Sequence, residues 1–157
     1  MRGNTSFLIS LHKFFNYYSK LRRPVCQRHN ISQVEFDIIA FLYHNPDVDT
    51  AGDIARLRML SKSNVSKAVE ALIQKGILTR EQDKADRRKI HLALTNHDEM
   101  LVKDVGGVLP MFYQQAFQGI PEEELHLMKV ISQQITKNID RIGASETEVS
   151  GNGTKGK

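Results

Sequence analysis

Thr50-Ala51-Gly52-Asp53-Ile54-Ala55-Arg56-Leu57-Arg58-Met59-Leu60-Ser61-Lys62-Ser63-Asn64-Val65-Ser66-Lys67 decides how the rest of the chain is read. Two helix starts are written into it. Thr50 and Ser61 are both residue types that cap a helix by accepting a backbone N–H, and Asp53 stands where a capping box carries Glu. The first helix, 51–58, is expected to turn Ile54, Ala55 and Leu57 inward, with Leu60 filling the turn after it. At 100° per residue the second, 62–75, puts Val65, Ala68, Val69, Leu72 and Ile73 on one side. Ser63, Ser66, Lys67, Glu70 and Gln74 fall on the other, with Lys62 and Asn64 at its leading edge. Two short helices sharing an apolar seam across a tight turn form a helix-turn-helix. Gly76 then stands where a left-handed residue ends the second helix.

Downstream, 77–81 and 89–94 read as two short strands, since Ile90, Leu92 and Leu94 alternate with Lys89, His91 and Ala93. Between them Gln82-Asp83-Lys84-Ala85-Asp86-Arg87-Arg88 has the composition of an exposed hairpin tip, a wing beside the two helices. From Arg56 to Lys89 ten Lys or Arg face four acids, a local excess of six in a chain whose net charge is +4. The rest of the chain is therefore slightly acidic, and the positive charge is concentrated where a nucleic-acid reader would carry it.

Thr95 is the expected cap of a longer helix, 96–118, in which Gly106, Gly107 and Pro110 predict a bend or a split. Pro121 and three acids open a final helix. Its apolar stripe, Leu125, Met128, Ile131, Ile135, Ile139 and Ile142, is long for the core available to cover it. No periodicity survives in 143–157, which reads as a disordered tail. Upstream, Phe7, Leu8, Leu11, Phe14, Phe15, Tyr18 and Leu21 give residues 5–21 helical spacing. Pro24 predicts the end of that helix and a linker over 24–31. Ser32-Gln33-Val34-Glu35 is a capping box, and the helix it opens is stopped by His44-Asn45-Pro46.

At 157 residues the chain suits one compact domain or two small lobes. No apolar run approaches the roughly 20 residues that cross a bilayer, and the N-terminus has no signal-peptide pattern. The single Cys26 excludes an internal disulfide, so a cytoplasmic setting is expected. A phosphate-cradling glycine loop, a zinc-protease motif and a nucleophile elbow are all absent, so no enzyme is expected.

Asp83-Lys84-Ala85-Asp86-Arg87-Arg88 is similar to the wing signature of the MarR family of bacterial transcriptional regulators. Leu60-Ser61-Lys62-Ser63-Asn64-Val65-Ser66-Lys67 resembles the start of that family's recognition helix, and Leu72-Ile73-Gln74-Lys75-Gly76-Ile77-Leu78 and Leu94-Thr95 follow in order. The resemblance covers about residues 5–142. It implies a mainly α fold: a winged helix-turn-helix lobe with a small β hairpin, 32–94, and a helical dimerisation region from 5–31 and 95–142. It implies a homodimeric, ligand-responsive repressor in the bacterial cytoplasm, binding a near-palindromic operator on double-stranded DNA. Carried over by motif, Ser61, Lys62, Ser63, Asn64, Ser66 and Lys67 face the major groove. Arg87, Arg88, Lys84 and Lys89 form the DNA-contacting wing, with one arginine in the minor groove and Asp83 or Asp86 holding the other. Ala85 stands where the family often has arginine, Arg58-Met59 where glycine is common, and the Gly106-Gly107…Pro110 interruption is not a general family feature.

The alternative class is a winged helix used only for protein–protein contact. No cofactor is expected. A small aromatic or phenolic effector is expected among Phe14, Tyr17, Tyr18 and Phe36, residue types that equally serve as plain core. Cys26 with His29 is a weak metal pair, which Glu35 or His44 would have to complete, and Cys26 among Arg22, Arg23 and Arg28 is a weak thiol sensor.

Overall fold

In the computed structural model the backbone is described for residues 5–151 and side chains for residues 5–142. The elements are α1 (Thr5–Arg28), α2 (Gln33–His44), α3 (Ala51–Leu57), α4 (Lys62–Gln74), β1 (Leu78–Gln82), β2 (Ile90–Leu94), α5 (Glu99–Ala116) and α6 (Glu122–Gly151). The chain divides into two units, Met1–Ala116 and Phe117–Lys157. The second unit carries α6, whose Leu127, Met128, Ile131, Ile135, Ile139 and Ile142 are exposed. The mainly α architecture with one small hairpin is the one expected.

In the first unit α2 is the centre. It packs against α1, α4, α5 and β2. Phe36, Ile38 and Ile39 of α2 are fully buried with Ile54, Val65, Leu72, Leu78, Leu101 and Val105. Side chains of this size each gain roughly 1.5–3 kcal/mol on burial, so these three anchor the helix in the middle of the unit. The Ser32 capping box starts it: Ser32 Oγ accepts from Glu35 N–H at 3.1 Å, and Glu35 Oε2 accepts from Ser32 N–H at 2.7 Å.

Thr50 and Ser61 cap α3 and α4 as expected. Asp53 is too short to complete a true capping box. Its Oδ2 accepts from the Thr50 hydroxyl at 2.6 Å instead of reaching the cap's backbone N–H. Leu57, expected inward, is exposed at the end of α3. This helix ends there after about two turns, so its last residue lies at the edge of the seam. The turn places Met59 at φ +54°, in the left-handed region, with its side chain 93% exposed.

β1 and β2 pair antiparallel from Leu78–Leu94 to Gln82–Ile90. The base of the hairpin is tied shut: Thr95 N–H donates to Ile77 O at 2.9 Å and the Thr95 hydroxyl to Gly76 O at 2.5 Å. Gly76 takes φ +72°, and a Cβ there would also press on the His97 ring at 3.3 Å. With Thr95 used in this way, Asp98 caps α5, accepting from Leu101 N–H at 2.9 Å. On the other side of β2, Leu92 N–H donates to Asp49 O at 2.9 Å, and a bridge pairs Thr50 with His91.

Two expectations are corrected and a third is narrowed. The first helix does not stop at Pro24, and residues 24–28 are not a linker. α1 runs to Arg28 because the turn after the proline buries Val25 and Cys26 in the core, which offsets the roughly 3 kcal/mol that an interior proline costs. α5 does not split. It is one helix through Pro110, held by Leu101, Val105, Val108 and Phe112 on its buried face. Gly106 belongs to that packing, since the Tyr43 ring of α2 lies where its Cβ would be, at 2.5–2.7 Å. The tail does not begin at 143, because α6 continues to Gly151. Ala144, Glu146 and Glu148 are helix formers, and extending an existing helix adds one hydrogen bond per residue. The remainder of the expected tail, 152–157, lies outside the described residues.

Candidate nucleic-acid interface

The two helix-turn-helix elements are positioned from behind by buried apolar residues and from the side by charge. Val65, Ala68, Val69 and Leu72 seat α4 in the core. That leaves Ser61, Lys62, Ser63, Asn64, Ser66 and Lys67 exposed along its opposite face and leading edge. Ser61 Oγ accepts from Asn64 N–H at 3.3 Å, so the first of these residues is also the cap. Lys75, at the far end, donates to Glu35 Oε1 at 2.7 Å and Asn30 O at 3.2 Å and fixes the helix to the start of α2. Burial alone would raise the Glu35 carboxyl; the Lys75 ammonium and the Ser32 N–H outweigh it and hold it below its ordinary value.

The turn between α3 and α4 is held by a polar node that sequence reasoning missed. Asp37, buried on α2, accepts from Arg22 Nη1 of α1 at 3.0 and 3.2 Å and from Arg58 Nη2 at 2.5 Å. Arg22 Nη2 also donates to Gln33 Oε1 at 3.0 Å. One carboxylate thus joins three elements. Its trace in the sequence was a lone charge inside the apolar run Phe36-Asp37-Ile38-Ile39.

The wing is built by its aspartates, though differently from the expectation that one of them grips an arginine side chain. Asp83 Oδ1 accepts from the N–H groups of Ala85 and Asp86 at 2.7 and 2.6 Å. Asp86 Oδ1 accepts from Arg88 N–H at 3.1 Å. Both are turn bonds to the backbone, which is what a short carboxylate at a tight turn reaches first. The Asp86 N–H, His91 and the Ala85 N–H together hold the Asp83 carboxyl down at about 2. Lys84, Arg87, Arg88 and Lys89 are exposed around this turn.

His91 was read only as a strand residue. Its Nδ1 lies 2.7 Å from Asp49 Oδ1 and its Nε2 3.0 Å from Asp83 Oδ2, and these two carboxylates, Asp49 first, raise its pKa. It therefore connects the wing to the loop in front of α3.

The residues named for an effector do not share one cavity. Phe36 is wholly buried core. Phe14 stacks edge-on against Phe112, and the Tyr17 hydroxyl bonds Gln115. Only Tyr18 faces a space beside the DNA-reading turn, a cavity of about 380 Å³ lined with Phe15, Arg22, Asp37, Leu57, Arg58 and Met59. Burial pushes the Tyr18 phenol above its usual value. Cys26 is buried and burial pushes its thiol up, the opposite of a reactive thiolate setting. His29 is engaged with Asp104 at 2.9 Å, and among the described residues no three His, Cys, Asp or Glu side chains gather to hold a metal.

A short-chained, basic α4 face next to a basic hairpin is a combination that reads DNA: small residues let a helix approach base edges, and the cations meet phosphates. The family model described as MarR family matches residues 29–89, which span α2 through the wing. This match, the relatives and the similar structures support a MarR-family regulator. The chain is 23% identical over 122 residues to the HTH-type transcriptional regulator FarR of Neisseria gonorrhoeae, covering 78% of this chain and 83% of FarR. Its fold is similar to that of S. aureus MepR in complex with DNA, with a TM-score of 0.69 at 20% identity over 87% of this chain and 99% of MepR. It is also similar to CouR from Rhodococcus jostii RHA1 bound to p-coumaroyl-CoA, with a TM-score of 0.67 at 19% identity over 84% and 91% of the two chains. These likenesses support a transcriptional regulator that binds DNA, and no helix among the described residues is long and apolar enough to cross a membrane.

Proposed function

We propose that this regulator works as a homodimeric repressor in the bacterial cytoplasm, reading a near-palindromic operator and releasing it when a small aromatic effector binds. The observation that carries the DNA part is the exposure of all six α4 residues, Ser61, Lys62, Ser63, Asn64, Ser66 and Lys67, on a helix whose other face is core. In this reading Lys67 and Asn64 meet bases, Ser61 and Lys62 meet phosphate, and Arg87 or Arg88 enters the minor groove, where negative potential is strongest. The MepR complex, a DNA-bound relative in fold, supports this reading.

Dimerisation is supported by apolar surface that each unit exposes: Phe7, Leu8, Leu11 and Phe15 on α1, and Leu127, Met128, Ile131, Ile135, Ile139 and Ile142 on α6. A second copy would cover such stripes, and a two-fold dimer matches a palindrome. Effector response is supported by the cavity at Tyr18, whose Arg22 and Arg58 also hold the turn before α4. A ligand that prefers one arrangement of this node shifts the population of dimers away from the spacing that fits two half-sites. CouR, solved with p-coumaroyl-CoA, gives the class of ligand to screen first.

The test is selection from a random duplex library, with light scattering for mass. The expected result is an enriched inverted repeat with half-site centres about ten base pairs apart, bound by a dimer and lost steeply with added salt. A folded protein that enriches nothing and binds duplex with no salt dependence would overturn the reading in favour of a protein–protein module.

A further inference from the structure

His91 has carboxylates on both ring nitrogens. A neutral imidazole carries one N–H, so one of the two contacts would set a lone pair against a carboxylate oxygen. Two short contacts, 2.7 Å to Asp49 and 3.0 Å to Asp83, are jointly favourable only when both nitrogens carry protons or one carboxyl does. Asp83 is not that carboxyl, because the Asp86 N–H, His91 and the Ala85 N–H hold it down at about 2. Between the ring and Asp49 the proton goes to the stronger base, which is ordinarily the imidazole, so the geometry calls for an imidazolium.

What the ring connects gives this charge a role. Asp83 is the root of the wing turn that presents Lys84, Arg87 and Arg88. Asp49 lies just before the α3 cap, in the segment that pairs with β2 through Thr50. We propose that His91 is a positioning residue whose imidazolium staples the wing to the helix-turn-helix, so that DNA affinity depends on whether that ring is protonated. Ala85 gives Asp83 a backbone N–H and no side-chain cation, so the ring is the charged partner on its other oxygen.

The charges around the ring favour this state. Glu81 is the cross-strand partner of His91 on β1. The cavity beside it, about 810 Å³, brings Asp47, Asp49 and Asp53 from the loop and α3 together with Arg56, Arg88 and Lys89. Asp53 is already engaged by the Thr50 hydroxyl and Arg56, and Arg88 and Lys89 are exposed to solvent. The two bonded carboxylates thus dominate, and they shift the ring's titration upward. The sign follows directly. The staple is closed below the raised pKa and opens as pH rises through it, so wing order and DNA affinity fall toward alkaline pH.

The DNA half of this inference rests on the DNA-binding reading of the wing, and the experiment separates the two. The imidazole of His91 is titrated by NMR in the full-length protein without DNA, together with amide exchange at 83–89. Affinity is then measured from about pH 6 to about pH 9, a range that brackets the ordinary histidine value near 6.5, using a fluorescent duplex recovered from the random library. The expected results are a doubly protonated ring at neutral pH, a titration above the ordinary value, and faster exchange in the wing once the ring is neutral. Wild-type affinity should drop on the order of tenfold across that titration, the size of one lost charge-assisted contact. His91→Gln should be weak and flat with pH, and His91→Arg, which keeps a charge able to bridge two carboxylates, should hold at the alkaline end the affinity that wild type shows at the acid end. A ring that titrates at or below its ordinary value, or identical pH profiles for wild type and His91→Gln, would overturn the staple. Failure to recover any duplex would fall on the operator reading, while the ring titration still decides the staple.

Discussion

Asp37 and Asp83 do the same job in opposite surroundings. Each fixes one of the two parts of the molecule proposed to reach DNA, the turn before α4 in one case and the wing in the other. Asp37 is buried and grips two guanidiniums from distant segments, Arg22 and Arg58. Asp83 sits at the surface and grips backbone N–H groups within three residues, plus one imidazole. Buried charge pairs do not add much net stability, but breaking one strands its partners away from water. Exposed ones cost little to lose. The difference separates a residue whose removal threatens the fold from one whose removal threatens only the reading surface.

The comparison breaks first at Asp37. Asp37→Ala leaves Arg22 and Arg58 without their shared carboxylate. Because Arg58 is partly solvated, the expected loss is about 2–4 kcal/mol, somewhat under the full cost for a buried pair. Chemical denaturation measures it, and a loss below about 1 kcal/mol would place Asp37 with Asp83 and dissolve the distinction. Gly106→Ala tests whether close packing elsewhere in the same core costs less than a stranded charge. The new methyl overlaps the Tyr43 ring, which is half exposed and able to move, so about 1–2 kcal/mol is expected in the same assay.

Asp83→Ala should leave the melting temperature nearly unchanged and weaken duplex binding on the order of tenfold, as one charge-assisted contact does. Acid supplies the same test without mutation. Asp83 titrates at about 2 in the folded wing, below its ordinary 3.8. Its contribution is therefore complete above the ordinary value and is lost as pH falls from about 4 toward about 2. Amide exchange at Ala85 and Asp86 should rise across that window before the core responds. Met59→Gly carries the smallest expected effect: relief of the left-handed φ, partly offset by the greater chain entropy of glycine, stabilises by up to about 1 kcal/mol in denaturation.

What could be read in advance was what repeats or caps. Ser32, Thr50 and Ser61 mark three helix starts, Gly76 a stop, and the alternation of Ile90, Leu92 and Leu94 a strand, because each acts through neighbours a few residues away. Pro24 misled for the complementary reason. Its local cost is real, but Val25 and Cys26 return more through contacts with distant segments. The six α4 residues were legible because α4 alternates buried and exposed positions. Asp37, Asp49 and His91 were not, since Asp37 meets Arg22 and Arg58, and Asp49 meets His91, across 15 to 42 residues of chain. Gly106 showed as a weakness in a helix, and only the fold reveals the ring that needs its missing side chain.

The tie between Thr95 and the Gly76–Ile77 turn has a consequence for how such a protein can change over time. The hairpin leaves α4 and returns to α5 through one closed neck, so everything beyond the neck is a self-contained cassette. Lengthening its tip costs only the slowly growing entropy of a longer loop, and neither helix on either side has to move. A lineage could therefore trade one wing tip for another by insertion, deletion or recombination at 83–89, while the helix proposed to read the major groove is inherited intact.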